Sequence, residues 1–209
     1  MNRVPLLTAG LSAAAIAIYA IGGDPLALER GAGGCEWRWL TAHLAHFDAN
    51  HLVWDLAVFA VLGAWVESTS RRTFSLIFLA SAAAISAAVW FLAPELSSYR
   101  GLSGIDSALA AAVAVGLYRN ASKPAERWLP LGLLAALAGK IAWEFGTGGT
   151  LFVNAESYVG VPLAHLVGAL VGGLLAALSG INASGVSAPS ASARGRSAAG
   201  PIRRPSLQR

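Results

Sequence analysis

Apolar residues fall into six long runs separated by polar stretches. The first, Val4–Ile21, follows Arg3. The second runs from His51 to Glu67 and ends at Arg71-Arg72, and the third, Thr73–Leu92, is stopped by Pro94. A fourth opens at Ser103 and reaches Tyr118, and a fifth covers Trp128 to Phe145. After the flexible link Gly146–Gly149, a sixth spans Val161–Leu178. Runs of about 17–20 apolar residues match a hydrocarbon core ~30 Å thick. The pattern therefore predicts an all-α membrane protein, a bundle of six transmembrane helices. A cleaved signal peptide is the alternative for the first run, since Arg3 would serve as its basic end. An anchor is preferred, because losing that segment would leave five spans and upset the charge pattern. The predicted division is residues 1–22 as the first transmembrane helix, 23–50 as an outer loop lying on the membrane interface, 51–180 as a core of five helices, and 181–209 as a tail.

The polar stretches set orientation. Arg3, Arg71, Arg72, Arg119, Lys123, Arg127 and five tail arginines (Arg194, Arg196, Arg203, Arg204, Arg209) gather on one side, against Arg30, Arg38 and Arg100 on the other. The positive-inside rule then places both termini in the cytoplasm. From Ser179 the chain turns to Ser, Ala, Gly, Pro and Arg, a composition that cannot bury enough apolar surface to order itself. This basic arm can contact anionic membrane lipid, or simply fix topology. The loop before the second run is long enough to be functional or disordered, and Trp37 and Trp39 suit a membrane interface.

Composition agrees. The chain is 56% hydrophobic and 12% charged, with a mean hydropathy of +0.58, whereas soluble domains carry about 25% charge. A net charge of +4 arises from residues between and after the apolar runs, so it reads as topology and predicts no nucleic-acid partner. The single Cys35 excludes an intrachain disulfide framework.

With this topology the second, fourth and sixth helices start at the outer face, and two polar residues come to similar depth. Ser103 sits in Gly101-Leu102-Ser103-Gly104 at the start of the fourth helix, where free N–H groups and the positive dipole end suit a developing oxyanion. His165 lies about one turn into the sixth helix. Ionisable residues inside membrane segments face protein or water and are functional candidates. Gly168, Ala169 and Gly172 share the face of His165, and such small residues let helix backbones close up. A serine hydroxyl needs a base within reach to become a nucleophile, and Ser103 with His165 can form that dyad. The plainer alternative is a histidine hydrogen-bonded between helices. At the second helix, His43, His46, His51 and Asp55 raise a metal hypothesis. No His-Glu-x-x-His spacing or compact ligand set supports it, so no metal and no cofactor is predicted.

The order His46-x4-His51-x3-Asp55, Gly-Leu-Ser103-Gly, Ala-His165-x2-Gly168 resembles the rhomboid intramembrane serine proteases. Trp39-Leu40-Thr41-Ala42-His43, Tyr99–Gly104, Gly139–Glu144 and Pro162–Leu166 are similar to the rhombosortase branch. The resemblance spans about Trp37 to Leu175. It implies Ser103 as nucleophile and His165 as base and later acid. His51 and the Ser103 N–H would be oxyanion donors beside Gly101, and His46 would be structural. It also implies a bacterial inner-membrane enzyme, whose substrates are transmembrane proteins with a C-terminal Gly-Gly sorting segment. Three features depart from the family pattern. Asp55 stands where most rhomboids carry an oxyanion-assisting asparagine, and an ionised carboxylate only accepts hydrogen bonds. It is protonated, orients His51, or points away. Ser107 replaces a tyrosine that packs on the family histidine. Asp106 is additional, with Lys140 a possible partner. Lys140 and Glu144, at i,i+4 spacing, read as a simple ion pair near the interface. A catalytically inactive rhomboid-like protein that binds membrane helices is the rival class, and a small transporter is a second, for which no inverted repeat is found.

Overall fold

Helix α3 (Ala49–Thr69) begins where Asp48 accepts the His51 amide at 2.8 Å, and α4 (Arg71–Leu92) begins where Ser70 accepts the Thr73 amide at 3.2 Å. Short polar side chains at helix starts satisfy N–H groups that have no partner within the helix. Ser70 is the whole link between the two helices. The computed structural model describes residues 4–31, 37–151 and 160–179. It adds α1 (Leu6–Ala20), the single turn α2 (Arg38–Thr41), α5 (Ser103–Asn120), α6 (Trp128–Thr147), α7 (Pro162–Ser179), and two short strands, β1 (Leu28–Glu29) and β2 (Ser98–Tyr99). The basic tail expected over 181–209 lies outside the described residues.

Four helical stretches are long and apolar enough to cross a membrane: Ala49–Thr69, Arg71–Leu92, Pro124–Thr147 and Pro162–Ser179. They make the chain an integral membrane protein. The other two runs differ for physical reasons. Helix α1 has 15 residues, a length of about 22 Å at 1.5 Å per residue. Helix α5 carries Asp106 and ends in Arg119 and Asn120, and nearly every residue from Gly104 to Ala114 is buried. Covered by its neighbours, it needs no continuous lipid-facing apolar surface.

Helix α5 is the centre of the bundle and packs most closely on α7. The small face expected on the last helix is the contact. A Cβ on Gly168 would collide with the Gly104 carbonyl, and one on Gly172 with the Ala108 carbonyl. Phe59, Phe74 and Phe78 interlock between α3 and α4 with ring centroids 6.1–6.3 Å apart, within the range of favourable aromatic pairs. Helix α1, which starts at Pro5 without a side-chain cap, is held from α3 instead: Glu67 accepts the amides of Leu7 at 2.9 Å and Thr8 at 2.7 Å. Helix α6 is loosely attached, with only Pro130, Ile141 and Glu144 buried along it.

The loop ahead of α3 is built as a strap. Strand β1 pairs antiparallel with β2, Leu28 opposite Tyr99 and Glu29 opposite Ser98. The Arg30 guanidinium donates to the carbonyls of Val89, Trp90, Ala93 and Leu96 and lies over the Trp90 ring. It thus ties the strap to the C-terminal turn of α4, where the Trp90 carbonyl is among those that no helical amide reaches. Buried His43 approaches the Ala82 carbonyl at 3.0 Å and Ser86 Oγ at 3.2 Å, and Ser86 Oγ donates to the Trp39 carbonyl at 2.7 Å. The Gly101 amide donates to the Ala42 carbonyl at 3.1 Å. The described parts of this loop therefore clamp the segment that leads into Ser103.

Candidate active site

Three helix starts and the strap converge on a cavity of about 370 Å³. Ser103 is the first residue of α5, and His165 the fourth of α7; both line this cavity. His51, Asp55, Asp106 and Ser107 line it too, with Phe47, Trp54 and Val58 supplying apolar wall. Ser103 and His165 are brought to one chamber by the glycine contact between α5 and α7. No hydrogen bond joins their side chains here; in unliganded sites such bonds are often long and tighten when substrate binds.

The turn before Ser103 is shaped by Gly101, whose φ is +121°. A Cβ there would come within 2.7 Å of the His51 ring and 3.2 Å of Asp55 Oδ2. Only glycine meets both demands, the left-handed backbone and the close approach. Tyr99, two residues earlier, is buried, and burial together with the Asp55 and Asp106 carboxylates pushes its hydroxyl far above the ordinary value. It stays a neutral phenol, edge-on to His43 with ring centroids 5.5 Å apart. Burial also pushes the His43 imidazole down to about 4.

Of the alternatives left by its place in the pattern, Asp55 excludes one. Its Oδ2 accepts the Leu102 amide at 2.8 Å and the Ser103 amide at 3.1 Å, and lies 3.2 Å from Nε2 of both His46 and His51. It does not point away. The carboxylate sits at the start of α5, where unpaired N–H groups attract an anion, and it gathers two histidine rings whose centroids are 5.1 Å apart. The Ser103 amide expected to serve an oxyanion is engaged by Asp55 in this state. His46, 6% exposed, is thereby a neighbour of the site.

Ser107 Oγ donates to the Ser103 carbonyl at 3.0 Å, one turn back on its own helix. Asp106 is 6% exposed and its Oδ1 meets no hydrogen-bond donor. Lys140, a possible partner for Asp106, is paired elsewhere: its Nζ donates to Glu144 Oε1 at 2.6 Å. Glu144 in turn places Oε2 2.7 Å from His165 Nδ1. The i,i+4 pair is therefore no isolated surface pair, and this contact was missed in the sequence. Its signal is a charged pair near the end of an apolar helix, at the membrane face where the His165 helix starts. Among the described residues no group of three or more His, Cys, Asp or Glu is arranged to hold a metal ion.

A comparison with curated proteins finds no match. The Rhomboid domain family model matches residues 34–181, well over half of the chain, and takes in every helix from α2 to α7. The chain belongs to the rhomboid family, whose members are in general intramembrane serine proteases acting on transmembrane substrates.

Proposed function

We propose that this protein is an intramembrane serine endopeptidase in which Ser103 is the nucleophile and His165 the base. The observation that carries the reading is the shared cavity: the first turns of α5 and α7, locked together through Gly104 and Gly168, present Ser103 and His165 to one space. In the proposed step Ser103 Oγ bonds to the scissile carbonyl carbon while its proton passes to His165. The carbonyl π electrons move to oxygen, giving an oxyanion. As the C–N bond breaks, the imidazolium returns the proton to the leaving amine. Water then repeats the sequence on the acyl-enzyme.

The oxyanion would take His51 and the Ser103 amide as donors. Of the two amides on Asp55, Leu102 makes the shorter bond and can hold the turn alone. The Ser103 amide is then the one to switch to the oxyanion, whose negative charge develops at the positive end of α5.

The finer reading is a rhombosortase-like enzyme of a bacterial inner membrane. It would have six spans, both termini in the cytoplasm, residues 51–180 as catalytic core and residues 181–209 as a basic tail on the lipid surface. Substrates would be membrane-anchored proteins with a C-terminal Gly-Gly segment. A helical substrate hides its scissile carbonyls, and each glycine weakens a helix by about 1 kcal/mol relative to alanine, so a Gly-Gly step opens where cleavage is needed. The test is co-reconstitution with a substrate bearing such a segment and with the same substrate changed to Leu-Leu. Cleavage by the wild type of the Gly-Gly form, slowed at least ~10-fold for Leu-Leu and abolished by Ser103→Ala, is expected. Equal cleavage of both forms would overturn the substrate reading, and cleavage that survives Ser103→Ala would overturn the nucleophile.

A further inference from the structure

Helix α6 is almost wholly exposed to its surroundings, yet one carboxylate on it is buried. Glu144 is 2% exposed, on a helix whose only other buried residues are Pro130 and Ile141. Burying an ionic group is costly unless its partners compensate, and stability alone is a weak reason to place one on a helix that buries so little else. What Glu144 gains by its position is His165.

The geometry assigns the protons. Glu144 Oε2 and His165 Nδ1 are 2.7 Å apart. A carboxylate oxygen and a bare imidazole nitrogen would repel at that distance, so a proton lies between them, and with the Lys140 ammonium 2.6 Å from the carboxylate and favouring its ionised form, it is Nδ1–H that donates to Glu144. Lys140 Nζ, 3.2 Å from Nδ1, then donates a hydrogen bond to Glu144 Oε1 at 2.6 Å. With Nδ1 carrying the proton, the lone pair of the neutral ring is on Nε2, the nitrogen left for Ser103.

We propose that Glu144, held by Lys140, is a positioning residue that converts the Ser103–His165 pair into a Ser–His–Glu triad; this rests on the dyad reading above. When Nε2 takes the Ser103 proton, the ring becomes an imidazolium whose second N–H already points at a carboxylate. When Nε2 returns that proton to the leaving amine, Nδ1 keeps its own, and Glu144 is never protonated. The carboxylate therefore fixes tautomer and ring orientation and stabilises the charge that forms. Lys140 fixes the other carboxylate oxygen and balances its charge in the resting state. Its own positive charge opposes the imidazolium, so without Glu144 the same lysine would hinder the base.

The experiment uses the full chain in detergent and in liposomes. Reaction of Ser103 with a fluorophosphonate and cleavage of a reconstituted transmembrane substrate are measured for wild type, Glu144→Gln, Glu144→Asp, Lys140→Met and Ser103→Ala. Histidine-selective nitrogen NMR reports the His165 tautomer. Expected are an Nδ1-protonated ring in wild type and in Ser103→Ala, and loss of that single tautomer in Glu144→Gln. The Glu144→Gln variant should lose ~10²–10⁴-fold in kcat with KM changed less than about threefold, and Glu144→Asp should recover part of the loss. Wild-type rates in Glu144→Gln, with His165 still required, would overturn the triad alone. Failure of the wild type to react at Ser103 would overturn the dyad reading and the triad with it. A wild-type ring protonated at Nε2 would overturn the proton assignment and the proposal.

Discussion

At the residue scale, the polar groups of the strap and the helix starts divide by what they are bonded to. His43 is bound to the α4 backbone and to Ser86, with no exposed surface. It is neutral when folded, because burial pushes it down to about 4, against 6.5 in an unfolded chain. Between those two values the unfolded chain binds the extra proton and the folded one does not, so stability rises with pH across that window and is lost as pH falls through it. The difference amounts to about 3 kcal/mol between pH 7 and pH 4. Thermal unfolding in detergent should therefore show a Tm decline from pH 7 to pH 4 that is shallower in His43→Asn, although that variant starts less stable. An equal decline in both proteins would show that His43 is not buried neutral. Asp55, by contrast, is bonded to the Leu102 and Ser103 amides and approached by two histidines. It holds the turn that Gly101 makes possible.

At the element scale, the contact between α5 and α7 sets the geometry of the site. Alanine at Gly168 puts a Cβ into the Gly104 carbonyl, so the two backbones must part. Overpacking of this kind costs roughly 1–3 kcal/mol, and here it also separates Ser103 from His165. Gly168→Ala should lower Tm and reduce cleavage at least ~10-fold. Gly139→Ala on α6, where a Cβ meets nothing within 4 Å, should leave cleavage unchanged and add a little helix stability. Equal activity in both variants would contradict the close-contact account. This contact was legible in the sequence, because Gly168 and Gly172 repeat at helical spacing on the face of His165. So were the start of α5 at Ser103 and of α7 beside Pro162. The strap was not. Two-residue strands carry no periodicity, and pairing of Leu28 with Tyr99 spans a separation that no local pattern records. The contact of Glu144 with His165 was hidden for a related reason. It depends on how α6 is rotated against α7, and the i,i+4 spacing of Lys140 and Glu144 accounts for their pairing without reference to a third group.

At the scale of the whole molecule, the bundle encloses one central helix, with Asp106 and Ser107 buried on it, within its neighbours. Helix α5 carries the proposed nucleophile and is shielded by α3, α4 and α7, while α6 stays loosely attached beside the cavity. Shielding lets Asp106 and Ser107 sit inside a membrane protein, and it keeps the reacting groups in a setting where electrostatic interactions are stronger than in water. The strap fixes the turn before Ser103. The family match runs over residues 34–181, so the chemistry proposed for the site depends on the architecture from α2 to α7 and on no single motif. The central claim is that His165 activates Ser103. It is tested most directly by treating the membrane-embedded protein with a fluorophosphonate and locating the adduct by mass spectrometry. The account predicts one adduct, on Ser103, formed at least ~10³-fold more slowly in His165→Ala and absent from Ser103→Ala. An adduct on another residue, or an undiminished rate in His165→Ala, would contradict it.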